Sequence, residues 1–238
     1  MRIDELYHEQ GSFTLSIKEQ VISSPGRCTA VIGENGAGKS TLFRILSGAL
    51  KPNKLIWTEK NKRKVLFHDA FATLNPRLRV IDHLTWSASM HGAPPHFLHK
   101  VSDDFDLATL FKRYPSSLSA GQMTRLRLAK TLLADPDVIL LDEPTTGLQF
   151  SAAEQVVSCI SILLRQGKSV VVSTHHLIEL SALKPFLIGL KDGRVILSED
   201  WSLKYEHYNQ VCELMRSMVG HNAGNIFAGG EVVQNGSI

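Results

Sequence analysis

The sequence is poor in three features that mark common classes of protein. Cysteine is scarce: Cys28, Cys159 and Cys212 are scattered over 238 positions, without the spacing of a disulfide framework or a zinc site. No apolar run approaches the roughly 18 residues that a membrane-spanning helix needs. The net charge of +3 gives no argument for a nucleic-acid partner. We therefore expect a cytosolic protein with reduced thiols, without a membrane span and without bound nucleic acid.

The remaining composition is that of an ordinary globular chain. Hydrophobic residues make up 43% and charged residues 21% of the sequence, which is enough for one large domain with a substantial core. The polar start, residues 1–5, predicts no secretory signal peptide. We predict a single domain over residues 1–220. Residues 221–238, rich in glycine and asparagine, are expected to form a flexible tail.

Residues 33–41 carry the most informative motif. Their sequence, Gly-Glu-Asn-Gly-Ala-Gly-Lys-Ser-Thr, fits G-x-x-x-x-G-K-[ST] and lies between an apolar strand and an apolar helix. Backbone amides in such a loop and the helix N-terminus together favour phosphate groups. Lys39 would bind the β- and γ-phosphates, and Ser40 would bind Mg²⁺. The nucleotide-binding residues predicted in this phosphate loop are Gly33, Asn35, Gly36, Ala37, Gly38, Lys39, Ser40 and Thr41.

Three further motifs follow in a fixed order. Residues 118–122 read Leu-Ser-Ala-Gly-Gln, the apolar strand 138–141 ends in Asp142-Glu143-Pro144, and His175 follows the apolar strand 169–174. This combination resembles the ABC ATPase family, with a phosphate loop, signature segment, Walker B motif and switch histidine. The resemblance covers about residues 1–200, and the combination is far more specific than any single motif.

A carboxylate at the end of a buried strand beside the phosphate loop can hold Mg²⁺, which predicts this role for Asp142. The resemblance implies that Glu143 polarises the attacking water and that His175 contacts the γ-phosphate. Burial can supply the pKa that a general base needs. A neutral imidazole can both donate and accept a hydrogen bond, so His175 can link the phosphate to Glu143.

The signature segment is expected to serve a second ATPase subunit. In the family, two chains meet head to tail with two ATP molecules between them. The resemblance implies that the partner's γ-phosphate lies against a helix N-terminus formed by Ser119, Ala120, Gly121 and Gln122. Ser119 can also act as a simple helix N-cap. The second subunit can be identical or a paralogue.

Adenine stacking and metal binding leave alternatives open. Tyr7, predicted to end the first strand, is the favoured stacking residue, and Phe13 is the alternative. The family's glutamine near the metal is missing, since no glutamine occurs between Gln20 and Gln122. His68 or Asp69 takes its place, and Asp69 is predicted to bind Mg²⁺. A second departure is Gln149, which stands where an aspartate is usual in a dimer-crossing loop.

The fold predicted is an α/β P-loop NTPase with a mainly parallel core sheet, an antiparallel β edge subdomain and a small helical subdomain at about residues 79–134. Periodicity predicts helices over 80–90 and 105–114. Strands over 55–57 and 64–67 are expected to flank the basic run 60–64 as a hairpin edge. A last helix is predicted over 208–219.

The resemblance implies an ATP-hydrolysing subunit, dependent on Mg²⁺, that drives a separate transmembrane permease. It would then lie in the cytoplasm, held at the inner face of the cell membrane by that permease. Segments 75–84, 90–92 and 173–179 resemble those of exporters of the drug, sodium or haem-maturation kind, which favours export. The alternatives are a soluble ABC ATPase that acts as an assembly scaffold, and a regulatory subunit that hardly hydrolyses ATP.

Overall fold

A computed structural model describes residues 1–57, 63–68, 74–175 and 177–201. The strands in these ranges are β1 (Arg2–Gln10), β2 (Phe13–Val21), β3 (Cys28–Ile32), β4 (Lys54–Trp57), β5 (Val65–His68), β6 (Val138–Asp142), β7 (Ser169–Thr174), β8 (Phe186–Lys191) and β9 (Arg194–Asp200). The α-helices are α1 (Lys39–Leu46), α2 (Val80–His91), α3 (Pro95–Asp104), α4 (Ala120–Leu133) and α5 (Phe150–Arg165). Short 3₁₀ helices span Ala108–Leu110, Pro115–Ser117 and Leu177–Leu183.

The described strands form one mixed sheet in the order β4-β1-β2-β9-β8-β3-β7-β6-β5. The five strands from β8 to β5 are parallel. At the other side, β4, β1 and β2 are antiparallel, and β9 joins the two parts. The predicted parallel core with an antiparallel edge is therefore confirmed.

Both faces of the parallel strands are covered, and this explains their near-continuous apolar sequences. In β3, Ala30 and Ile32 belong to a core shared with α2 to α5, whereas Val31 belongs to a second core on the opposite face. The second core contains the buried side of α1, which packs between the antiparallel strands and the parallel ones. The helix that follows the phosphate loop is thus fixed from several sides.

The prediction of a helix over 105–114 is wrong. The helix begins earlier, with Pro94 as N-cap and Pro95 at its first position, where a proline needs no donor and already has a helical φ. It ends at Asp104, and Asp106 follows in a left-handed conformation with φ 48°, which no regular helix accepts. The helix predicted over 80–90 is found as α2.

The prediction of a hairpin between strands 55–57 and 64–67 is also wrong. The strand β4 pairs antiparallel with β1, whereas β5 pairs parallel with β6, so the two lie at opposite edges of the sheet. The apolar β5 extends the parallel core, where the ring of Phe67 meets the ring of Phe43 edge-on at 6.3 Å. The packing of β5 against α1 thus decides where this strand lies, although β4 is its nearest strand in the sequence.

Several predictions concern residues that lie outside the described ranges: Asp69, Cys212, the last helix over 208–219 and the tail over 221–238. Among the helices that the structure does describe, none combines the length and the apolar character needed to cross a membrane.

Candidate nucleotide-binding and catalytic site

The phosphate loop has a backbone that only glycine adopts easily at three of its positions. Gly33, Gly36 and Gly38 have φ values of 155°, 86° and 104°. A Cβ added to Gly38 would lie 2.8 Å from Cζ of Phe13. Gly38 is also the N-cap of α1, and it has no side chain that could accept hydrogen bonds from the first backbone amides of this helix. Those amides are therefore left for an anionic ligand.

Lys39, the first residue of α1, is only 6% exposed. Its Nζ donates hydrogen bonds to the carbonyl oxygens of Gly33 at 2.8 Å and Glu34 at 2.9 Å. Burial lowers the pKa of Lys39, while the charges of Glu143 and Asp142 act in the opposite direction. The lysine is therefore close to both carboxylates that the sequence singles out.

A pocket of about 480 Å³ opens above the loop. It is lined by Gln10, Phe13, Asn35, Gly36, Gly38, Lys39, Ser40, Thr41 and Glu143. Its walls come from the parallel core and from the β1–β2 turn of the antiparallel part. The sequence did not predict Gln10 here, although its position beside that turn and three residues from Phe13 could have suggested it.

Tyr7 lies outside the lining of this pocket, in contrast to Phe13. The prediction that Tyr7 ends the first strand is wrong, because β1 continues to Gln10 and pairs Tyr7 with Ser16. The Tyr7 hydroxyl donates a hydrogen bond to Oε2 of Glu9 at 3.1 Å, and this bond raises the pKa of Tyr7. Of the two aromatic candidates, the position of Phe13 suits adenine stacking better.

Asp142 and Glu143 stand where β6 ends, beside β7. The hydroxyl of Ser173 donates a hydrogen bond to Oδ1 of Asp142. The amide of Glu143 donates to Oγ of Ser173 at 3.0 Å and to its carbonyl oxygen at 3.1 Å. Ser173 of the neighbouring strand thus holds the carboxylate of Asp142 and the backbone amide of Glu143.

The carboxylate of Glu143 has two neighbours of its own. Oγ1 of Thr146 donates to Oε2 at 3.2 Å, and Nδ1 of His175 lies 3.3 Å from Oε1. The structure therefore brings Lys39, Asp142, Glu143 and His175 together, as the sequence predicted. Ser173 escaped prediction because only the sheet register reveals it. Thr146 was not given a role either, although it lies three residues after Glu143 in the same turn.

The signature segment forms the start of α4. Oγ of Ser119 accepts from the amide of Gln122 at 3.2 Å, and Oε1 of Gln122 accepts from the amide of Ser119 at 3.0 Å, which completes a capping box. Ser119 and Ala120 are exposed, whereas Gly121 is buried against α5. None of these residues lines the described pocket, so their contact with a partner's nucleotide remains a prediction.

The donors that could hold Mg²⁺ are oxygens, as this ion requires. Ser40 lines the pocket. Asp142 is close enough to Lys39, which lines the same pocket, for its charge to act on the pKa of the lysine. The register of β5 against β6 pairs His68 with Leu141, which places the end of β5 beside Asp142. The residues present fit a magnesium ion, while Asp69 lies outside the described ranges.

Comparison with known proteins gives a consistent picture. Residues 20–146, more than half of the chain, match the family described as ABC transporter. The chain is 26% identical over 208 residues to the lantibiotic transport ATP-binding protein SrtF of Streptococcus pyogenes, covering 84% of this chain and 91% of that protein. It is 28% identical over 186 residues to the molybdenum import ATP-binding protein ModC of Photobacterium profundum, covering 71% of this chain and 51% of that protein. The chain spans about half the length of several curated relatives that it matches.

A solved ATP-binding subunit of an ABC transporter has the same fold, with a TM-score of 0.73 and 18% identity, over 91% of this chain and 97% of that one. At this identity the likeness concerns the fold alone. The family match rests on residues that include the phosphate loop, the signature segment and Asp142-Glu143. The chain belongs to the ABC transporter family.

Proposed function

We propose that the chain binds ATP in the described pocket and hydrolyses it there to drive a transporter. The observation that carries this proposal is the convergence of Lys39, Glu143 and His175 at the carboxyl ends of adjacent parallel strands. In open α/β sheets this edge is where ligands bind. The pocket volume of about 480 Å³ is also within the usual range for a small-molecule site.

Each residue would contribute to phosphate binding through its own chemistry. The amides of the phosphate loop and of α1 would donate to the phosphate oxygens, and Lys39 would exchange its two loop carbonyls for the β- and γ-phosphates. Ser40 and Asp142 would hold a magnesium ion. When bound, that ion would neutralise part of the negative charge on the β- and γ-phosphates.

Glu143 would orient the attacking water and take up its proton. Thr146 and His175 contact opposite oxygens of this carboxylate, so its plane is fixed before the nucleotide arrives. His175 would face the γ-phosphate with the imidazole edge that does not contact Glu143. A carboxylate that is held in this way spends little energy on reorganisation during the reaction.

The finer statements about transport rest on family likeness. We propose a separate transmembrane permease, a second ATPase subunit that closes head to tail over two nucleotides, and a place at the inner face of the membrane. Export is favoured by segments 75–84, 90–92 and 173–179. The two relatives above are named for lantibiotic transport and for molybdenum import, so the direction rests on those segments alone.

A replacement of Glu143 by glutamine tests the catalytic proposal. We expect Glu143→Gln to bind ATP as tightly as the wild type but to lose at least about 100-fold in turnover, in the range that general-base catalysis contributes. The matched control is Glu154→Gln, an exposed glutamate on α5, which should keep full turnover. Equal turnover in Glu143→Gln and the wild type would refute the catalytic assignment.

The soluble alternative needs a different test. The tagged chain would be purified from detergent-solubilised membranes of its host, and its companions identified. A polytopic membrane protein in stoichiometric amount would support the transporter proposal. Absence of the chain from the membrane fraction, with only soluble companions, would favour the assembly or regulatory alternatives.

A further inference from the structure

We infer that Ser173 is a positioning residue for ATP hydrolysis, because its single hydroxyl links the carboxylate of Asp142 to the backbone amide of Glu143. This inference rests on the proposed function, since it concerns the two carboxylates that the proposal uses. Ser173 itself would touch neither the nucleotide nor the water.

The place of Ser173 in the sheet suits this role. It lies on β7, between β3, which leads into the phosphate loop, and β6, which ends at Asp142. The register pairs it with Val31 on one side and with Asp142 on the other. Ser173 is 0% exposed, so water does not compete for its hydrogen bonds.

The hydroxyl is used both as a donor and as an acceptor. It donates to Oδ1 of Asp142 and accepts from the amide of Glu143 at 3.0 Å. With Oδ1 engaged, the side chain of Asp142 would be held in one orientation, and its second oxygen would be left to hold a magnesium ion. Partners of this kind orient metal-binding carboxylates, and their loss typically costs about 10- to 100-fold in metal affinity or activity.

The bond to Glu143 has a separate consequence. Glu143 has φ 47°, a left-handed conformation that is unfavourable for a residue with a side chain. The backbone amide of Glu143 is held in this conformation by two acceptors on Ser173, the hydroxyl and the carbonyl oxygen. The conformation directs the side chain of Glu143 towards His175, two residues further along the chain from Ser173.

A second serine on the same strand provides an internal comparison. Ser169 is four residues earlier and therefore on the same face of β7, and it is 1% exposed. Its hydroxyl has no hydrogen-bond partner among the residues that the structure describes. Ser169 and Ser173 are therefore both buried on one strand, and they differ in the hydrogen bonds of their hydroxyl groups. Ser169→Ala is a matched control for the loss of a buried hydroxyl.

The decisive pair of variants is Ser173→Thr and Ser173→Val. Threonine and valine have nearly the same shape, so both add the same bulk, and only threonine keeps the hydroxyl. The smaller Ser173→Ala covers the case in which neither branched residue is accommodated. All variants would be checked for folding by thermal unfolding, and Ser169→Ala would be measured alongside them.

Two quantities would be measured: the Mg²⁺ concentration that gives half-maximal binding of a non-hydrolysable ATP analogue, and kcat and KM at saturating Mg²⁺. We expect Ser173→Val and Ser173→Ala to need about 10- to 100-fold more Mg²⁺ and to lose kcat. Analogue binding without Mg²⁺ should be unchanged. Ser173→Thr should stay near the wild type, as should Ser169→Ala.

The outcomes separate the two proposals. If the wild type binds no nucleotide, the proposed function fails and the role of Ser173 fails with it. If the wild type hydrolyses ATP while Ser173→Ala keeps the Mg²⁺ dependence and the kcat of the wild type, the role of Ser173 alone is overturned, whatever the two branched variants do. A melting temperature that falls without any change in Mg²⁺ dependence would likewise reduce Ser173 to a structural residue.

Discussion

Gly33 packs so closely against Leu190 that a Cβ on the glycine would lie 2.2 Å from the leucine's carbonyl oxygen. That oxygen belongs to the backbone of β8, which pairs with β3 directly before the loop. A side chain at position 33 must therefore move one strand of the parallel core away from the other. Gly33 is therefore a requirement of strand packing, in addition to its predicted role in phosphate binding.

We predict that Gly33→Ala abolishes ATP binding and lowers the free energy of unfolding by more than about 2 kcal/mol. Gly36→Ala is the control, because Gly36 also has a positive φ but a Cβ there would meet nothing within 4 Å. Its cost should be only the backbone strain of about 1–2 kcal/mol. Chemical denaturation and nucleotide titration would check both variants. Equal destabilisation by the two would argue against the contact with Leu190.

Phe13 and Tyr7 can be distinguished as adenine-stacking residues by the choice of ligand. We predict that Phe13→Ala weakens ATP binding by about 1–3 kcal/mol, the usual contribution of a base stacked on an aromatic ring. Binding of inorganic triphosphate, which has no base, should be unaffected. Tyr7→Ala should change neither, since Tyr7 does not line the pocket. Equal loss of both ligands in Phe13→Ala would instead assign Phe13 to the support of Gly38.

Ser119 combines a helix cap with a predicted contact to a partner's nucleotide, and two substitutions separate these roles. Ser119→Ala should lose about 1 kcal/mol of stability, because the capping bond to Gln122 is gone. Ser119→Asp keeps a good N-cap but places a negative charge where the γ-phosphate is expected. We predict normal thermal stability for Ser119→Asp, with ATP-dependent dimerisation lost in gel filtration. Dimerisation like that of the wild type would refute the contact.

Two cysteines are buried in the part of the chain that the structure describes, and they predict that stability falls at alkaline pH. Burial raises the pKa of Cys28 and of Cys159 to about 12 each. In the unfolded chain these thiols ionise from about pH 8.5, so the unfolded state is favoured as the pH rises from there towards 12. The loss should be on the order of 1–2 kcal/mol per thiol at pH 10. A Cys28→Ala, Cys159→Ala double variant should show a flatter profile of unfolding free energy above pH 8.5, and a parallel profile would contradict the assignment.

The parts of the site that depend on local sequence were predictable. The phosphate loop, Asp142-Glu143 and His175 are short patterns at the ends of apolar strands, and a parallel sheet necessarily gathers such ends at one edge. Ser173 could not be singled out, because the sequence does not give the register of β7 against β6. The helix at 95–104 was missed, although a proline at its first position is a local signal of a helix start.

The sequence also failed to predict which strands β4 and β5 pair with. Neighbouring strands in sequence often pair, yet these two occupy the two edges of the sheet. Their partners depend on burial against α1 and on distant strands, and neither is visible in a window of a few residues. The signature segment could be placed at a helix start from sequence, because a capping box is a local pattern.

The separation of β4 and β5 also limits the shape of the whole sheet. The nine strands in the described part of the chain, at about 4.8 Å spacing, would hold the edges of a flat sheet roughly 38 Å apart. The chain has only eight Cα-to-Cα steps from Trp57 to Val65, which reach at most about 28 Å. The sheet therefore has to curl around α1 until its edges approach each other. We expect that removing several residues between β4 and β5 would prevent this curl of the sheet, whereas adding residues there would be tolerated.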